Sequence, residues 1–148
     1  MRKKSNLLRL LKEHKVKFVI IGAAAFPVHG YARATLDVDL FIEPSLRNAE
    51  KCLAALKAFG YDTSDISIED LLKKKVLIRQ YTVEVDIHPY VKGVKFQDVW
   101  HNRVKAKIGN VLTSFASLDY LIKMKRAAGR TKDKEDLKIL LAIKRKKM

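Results

Sequence analysis

The chain has 148 residues, 48% of them hydrophobic and 32% charged, which excludes an intrinsically disordered polymer and suffices for one buried core. Thirty-one lysines and arginines against sixteen acids leave a formal net charge of +15, a balance that favours polyanionic partners, with solubility or heat adaptation as the alternative reasons for so much lysine. No apolar run approaches the roughly 20 residues of a membrane span, and the single Cys52 has no partner for an internal disulfide.

In chain order, Leu7, Leu8, Leu10 and Leu11 recur among polar residues and predict a short amphipathic helix over 6–14, starting near Ser5, in place of a signal peptide. Val16 to Ile21 is β-branched and aromatic and predicts a strand that Gly22 ends. Ala23 to His29 suits a short helix, with Pro27 tolerable only near a first turn, and Gly30 closes it. Leu36 to Ile42 predicts a second strand. After Pro44, Ser45 predicts an N-cap, and apolar residues from Leu46 to Phe59 fall at helical spacing before Gly60. That helix reads as a crossover towards a neighbouring strand.

Further on, Tyr61 to Thr63 predicts a short strand, and Ser67 with Asp70 opens a short helix through a capping box. Val76 to Arg79 and Val83 to His88 predict a hairpin. Lys92 to His101 is loop or short helix, and a second hairpin turns around Gly109 and Asn110. Ser117 caps a helix that Gly129 breaks, and a last helix runs over 132–146 into a basic tail, Lys144 to Lys147. The expectation is one cytoplasmic domain over 1–148, of α+β class, a mixed sheet flanked by helices with a C-terminal helical part over about 117–146.

Two carboxylates interrupt the otherwise apolar strand at 36–42. Side chains alternate faces along a strand, so Asp37, Asp39 and Phe41 share one face, with the two acids roughly 6–7 Å apart at Cβ. In the later hairpin, Glu84, Asp86 and His88 likewise share a face. If the two strands are neighbours, Asp37, Asp39 and Asp86 converge, an arrangement that is unfavourable without a cation. Hard oxygen ligands select Mg²⁺ or Mn²⁺, which bind substrate phosphates. Gly22 and Ala23 open a helix directly after a strand, where backbone N–H groups suit a phosphate. Arg33 and Thr35 lie on the loop entering the acidic strand and either meet phosphate or order the loop. His29 reads as structural, and His88 as a site neighbour or a surface residue.

Gly22-Ala23, then Asp37-Val38-Asp39, then Asp86 resembles the nucleotidyltransferase superfamily, the polymerase-beta-like fold. The longer series of Gly22, Ala25, His29, Gly30, Arg33, Thr35, Asp37 and Asp39 is similar to small bacterial and archaeal members related to the AbiE-type toxins. Lys125 and the segment Arg130-Thr131-Lys132-Asp133 fit that group's downstream positions.

The resemblance spans about residues 16–137. It implies Asp37 and Asp39 as metal ligands, Asp86 as third ligand or as proton acceptor, Gly22 and Ala23 at the β- and γ-phosphates, and Lys125 and Asp133 near the nucleotide or acceptor. The implied activity is metal-dependent transfer of a nucleoside monophosphate from an NTP to a hydroxyl; the charge of +15 favours RNA (a tRNA end) as the acceptor over a small sugar or antibiotic, with a protein hydroxyl also open. The alternative is a weak or inactive module of the same fold that binds RNA or a partner protein of toxin–antitoxin type, with no membrane in either case. Ala23 departs from the family's usual Ser or Gly and lacks the hydroxyl that would bond a phosphate.

Overall fold

The computed structural model describes residues 3–34 and 37–148. Helix α1 (Lys4–Glu13) buries Leu7, Leu8 and Leu11 and leads into strand β1 (Phe18–Ile21), whose four residues are all buried. A 3₁₀ helix, Gly22–His29, follows directly and ends at Gly30 in the left-handed conformation. Pro27 lies inside this helix, not in its first turn as expected from the sequence. The segment closes through Gly30 N–H to Pro27 O at 3.1 Å and Tyr31 N–H to Phe26 O at 3.1 Å.

Strand β2 (Asp37–Ile42) comes next, and then α2 (Leu46–Phe59), capped by the Ser45 hydroxyl at one end and Gly60 at the other. The capping box at Ser67 and Asp70 opens α3 (Ile68–Lys73) as the sequence predicts. Strands β3 (Val76–Ile78) and β4 (Glu84–His88), helix α4 (Phe96–His101), strands β5 (Val104–Ile108) and β6 (Val111–Phe115), and helices α5 (Leu118–Ala128) and α6 (Thr131–Lys147) complete the order. Tyr61 to Thr63 is not a strand. Its polar groups are met by other partners: the Tyr61 hydroxyl donates to Val83 O at 2.6 Å and the Asp62 N–H donates to Gln80 Oε1 at 2.8 Å.

The six strands form one mixed sheet in the order β3-β4-β2-β1-β6-β5. β2 and β4 are parallel, while β1–β2, β3–β4 and β5–β6 are antiparallel; the predicted crossover helix α2 leads through α3 into edge strand β3, which neighbours β4 and not β2. One face carries Val38, Leu40, Ile42, Val85 and Ile87, all buried, and α1 and α2 pack on each other, with α1 also against β6. The other face carries Asp37, Asp39 and Phe41; Phe96 of α4 meets Phe41 edge-on at 5.2 Å, and α5 packs with α6 beyond it. This α+β architecture, a mixed sheet with helices and a C-terminal helical pair, is the predicted fold class. Among the described residues, no helix is long and apolar enough to cross a membrane.

Candidate active site

The parallel pairing of β2 with β4 sets Asp37 opposite Glu84 and Asp39 opposite Asp86. Neighbouring strands lie roughly 4.8 Å apart, so four acidic positions occupy one small patch of one sheet face. The repulsion shows in Glu84: the hydrogen bond and the charge of Asp37, together with partial burial, hold its carboxyl above the usual range.

β1 brings the other half. Ile21 pairs with Asp39 across the antiparallel β1–β2 ladder, so the chain turns into the 3₁₀ helix beside that carboxylate. Gly22 has φ +67°, and a Cβ built there would fall 2.7 Å from Asp39 Oδ2. A side chain at 22 is therefore disfavoured twice, by the backbone conformation and by contact with Asp39. Ala23, next along, is half-buried and lines the same cleft.

The cleft has a volume of about 410 Å³ and reaches from the acidic strands to α5 and α6. Gly22, Ala23, Arg33, Asp37, Asp39, Asp86, Lys125 and Asp133 all line it. Thr35, the remaining predicted site residue, lies outside the described residues. Residues distant in sequence thus meet in one concave, polar space open to solvent.

Basic groups are held on its walls by acids of α6. Lys125 Nζ lies 3.1 Å from Asp133 Oδ1 and 3.2 Å from Asp136 Oδ2, and Arg33 Nη1 pairs with Asp136 Oδ1. Arg130 donates from Nε to Asp133 Oδ2 at 2.7 Å. The Arg130 hydrogen bond, reinforced by Lys125, overcomes burial and holds the Asp133 carboxyl far below the usual range. At Asp136 burial acts to raise the carboxyl, but the bonds from Arg33 and Lys125 outweigh it and the net direction is down. Both acids stay ionised, and they orient Arg33, Lys125 and Arg130 beside the cleft.

The carboxylates on the opposite wall also have partners. His88 Nε2 lies 2.9 Å from Asp39 Oδ1, whereas Asp86 accepts from Arg79 Nη1, with Lys75 Nζ 4.0 Å from its other oxygen. Arg79 Nε is 3.7 Å from Glu84 Oε2, so this arginine bridges two of the acids. Among the described residues, no three His, Cys, Asp or Glu side chains are grouped closely enough to hold a metal ion as they stand. The strands supply the positions that the sequence predicts, while the Asp86 side chain is turned towards Arg79. As a donor set, Asp37, Asp39 and Asp86 are hard oxygens on adjacent strands, the donor type that a divalent cation of the Mg²⁺ or Mn²⁺ kind takes.

The sequence reading missed Lys75, Arg79 and Asp136 as neighbours of the site, named Arg130 and Lys132 only as part of the segment that carries the resemblance, and left His88 undecided. His88 and Asp136 had a signal. His88 follows Asp86 by one strand period, and Asp136 follows Asp133 by one helical turn. Lys75 and Arg79 flank a strand of the predicted hairpin, but their reach to Asp86 depends on side-chain rotamers that the pattern does not encode. His29 is structural: its Nε2 bonds Ala116 O at 2.8 Å.

No curated protein sequence matches the chain. Residues 1–148 match the family described as nucleotidyl transferase of unknown function (DUF2204), and with that match over its full length the chain belongs to this nucleotidyl transferase family.

Proposed function

We propose that the protein is a divalent-metal-dependent nucleotidyltransferase that moves the nucleoside monophosphate of an NTP to a hydroxyl acceptor, with an RNA end as the acceptor best suited to a chain of charge +15. The observation that carries this reading is the single cleft lined by Gly22 and Ala23, by Asp37, Asp39 and Asp86, and by Lys125. The acceptor oxygen attacks the α-phosphorus, the new O–P bond forms, and the bond to the bridging oxygen breaks, releasing pyrophosphate. Asp86 takes the hydroxyl proton, which requires its carboxylate to turn away from Arg79. Asp37 and Asp39, with Asp86, would hold Mg²⁺ or Mn²⁺, which when bound offsets the charge of the reacting phosphates. The backbone at Gly22 and Ala23 receives the β- and γ-phosphates, while Arg33 and Lys125, steadied by Asp133 and Asp136, supply cations to the substrate. Thr35 belongs to the same proposed nucleotide-binding set.

A second reading, a catalytically inert member of the fold that retains RNA or a partner protein, draws on two observations: Ala23 has no hydroxyl, and Asp86 is engaged by Arg79. Incubation with α-³²P-labelled NTPs, Mg²⁺ and total RNA separates the two. Label in RNA with the wild type but not with Asp39→Ala supports the transferase. No label from any of the NTPs, with folded protein that still retains RNA, supports the inert module.

A further inference from the structure

A second cleft, of about 270 Å³, opens beside Val16 and Phe18, at the other end of β1 from Gly22. It is lined by Lys12, Lys15, Lys17, Arg103 and Lys105 around Trp100, and no carboxylate is among its lining residues. Arg103 is fixed there. Its guanidinium stacks 3.8 Å from the Trp100 ring centroid, and its Nη1 donates to Trp100 O at 2.8 Å. Its Nε is inaccessible and has no partner among the described residues. Lys17 Nζ lies 5.6 Å from the same ring and 3.6 Å from Glu43 Oε2, a carboxylate outside the lining of the cleft.

Lys15, left-handed at φ 59° just past the end of α1, brings its side chain to the cleft, and one further feature argues for a long polyanion over a small one. Lys107 follows Lys105 at one strand period on β5, also exposed, and continues the basic stripe beyond the recess.

We propose that this cleft binds the phosphodiester backbone of a single-stranded nucleic acid, at a site separate from the acidic cleft. Converging cations neutralise successive phosphates, and a narrow recess lined by α1, α4, β5 and β6 admits a flexible strand more readily than a rigid duplex. The proposal does not depend on the transferase reading.

The test is fluorescence anisotropy with a fluorescein-labelled single-stranded RNA, titrated at several salt concentrations. The Lys15→Gly/Lys17→Gln/Lys105→Gln variant is expected to bind about tenfold more weakly, with a log–log salt slope shallower by about 2, since each single-strand phosphate contact contributes about 0.7. Arg145→Gln/Lys146→Gln/Lys147→Gln, with the same loss of charge, is expected to lose less than about threefold. Lys15→Gly alone is expected to raise Tm and still weaken binding, a pairing that a folding defect does not produce. Affinity for a fluorescent ATP analogue should be the same in wild type and the first triple variant. Equal RNA losses in the two triple variants, tighter cleft-dependent binding of a duplex, displacement of RNA by millimolar inorganic phosphate, or joint loss of RNA and nucleotide binding would each overturn the proposal.

Discussion

Gly22 sits where a strand must turn sharply and where the next strand's carboxylate presses against it. An alanine there adopts a left-handed backbone at a cost of roughly 1–2 kcal/mol, and its Cβ meets Asp39 Oδ2 at 2.7 Å unless one of them moves. Gly22→Ala is therefore expected to lower Tm by about 2–8 °C and to cut nucleotidyl transfer by about 100-fold through displacement of Asp39. Thermal melting and single-turnover transfer measure the two effects separately. Ala23 makes the opposite case. Its methyl lines the cleft where a hydroxyl could donate to a phosphate oxygen. Ala23→Ser is expected to tighten nucleotide binding by about 2- to 12-fold, the worth of one neutral hydrogen bond at 0.5–1.5 kcal/mol; isothermal titration with a non-hydrolysable NTP reads it.

At the scale of elements, the 3₁₀ helix is tied to the segment between β6 and α5 by His29, 93% of whose surface is inaccessible. Burial is the main cause that lowers the His29 pKa; the bond to Ala116 O opposes it and the charge of Lys147 adds to it. The unfolded chain then binds this proton more readily than the folded one, so the contribution of neutral His29 is present above about pH 6.5 and is lost as pH falls from there through the lower folded-state pKa. Wild-type Tm is expected to decline between about pH 7 and pH 5, while His29→Gln melts lower at neutral pH but with a shallower decline. A difference in Tm–pH profile between the two isolates His29 from the other histidines. The elements themselves were largely legible. Alternation gave Asp37, Asp39, Glu84, Asp86 and His88 their faces, and the caps at Ser45, Ser67 and Ser117 marked helix starts. Tyr61 to Thr63 misled because its apolar aromatic is buried by packing on Phe59, with ring centroids 4.8 Å apart, and not by strand pairing. Pro27 misled because the rule for α-helix interiors does not carry over to a 3₁₀ segment.

For the whole molecule, two properties had to wait for the structure. The sheet order sets β4 against β2, which turns two acidic strand faces into one patch; the sequence held this only as a condition. The C-terminal helices then close over that patch, so that Lys125 and Asp133, identified through resemblance alone, face residues about a hundred positions earlier, as the pairing of Arg33 with Asp136 shows. Side-chain partnerships such as Arg79 with Asp86 were illegible because they depend on rotamers, although the hairpin that brings the two strands together was predicted. The net charge of +15 was readable from composition, but not its concentration in a recess around Trp100 at the far end of β1.

The central claim is a reaction class, transfer of a nucleotidyl and not a phosphoryl group from the acidic cleft. Parallel reactions with α-³²P- and γ-³²P-labelled NTP, the same acceptor RNA and Mg²⁺ address it directly. The account predicts that acceptor-bound label appears only from the α position, that the γ label is recovered as pyrophosphate in equal amount, and that both signals vanish in Asp39→Asn. Label entering the acceptor from the γ position, or α label that persists in Asp39→Asn, would contradict it.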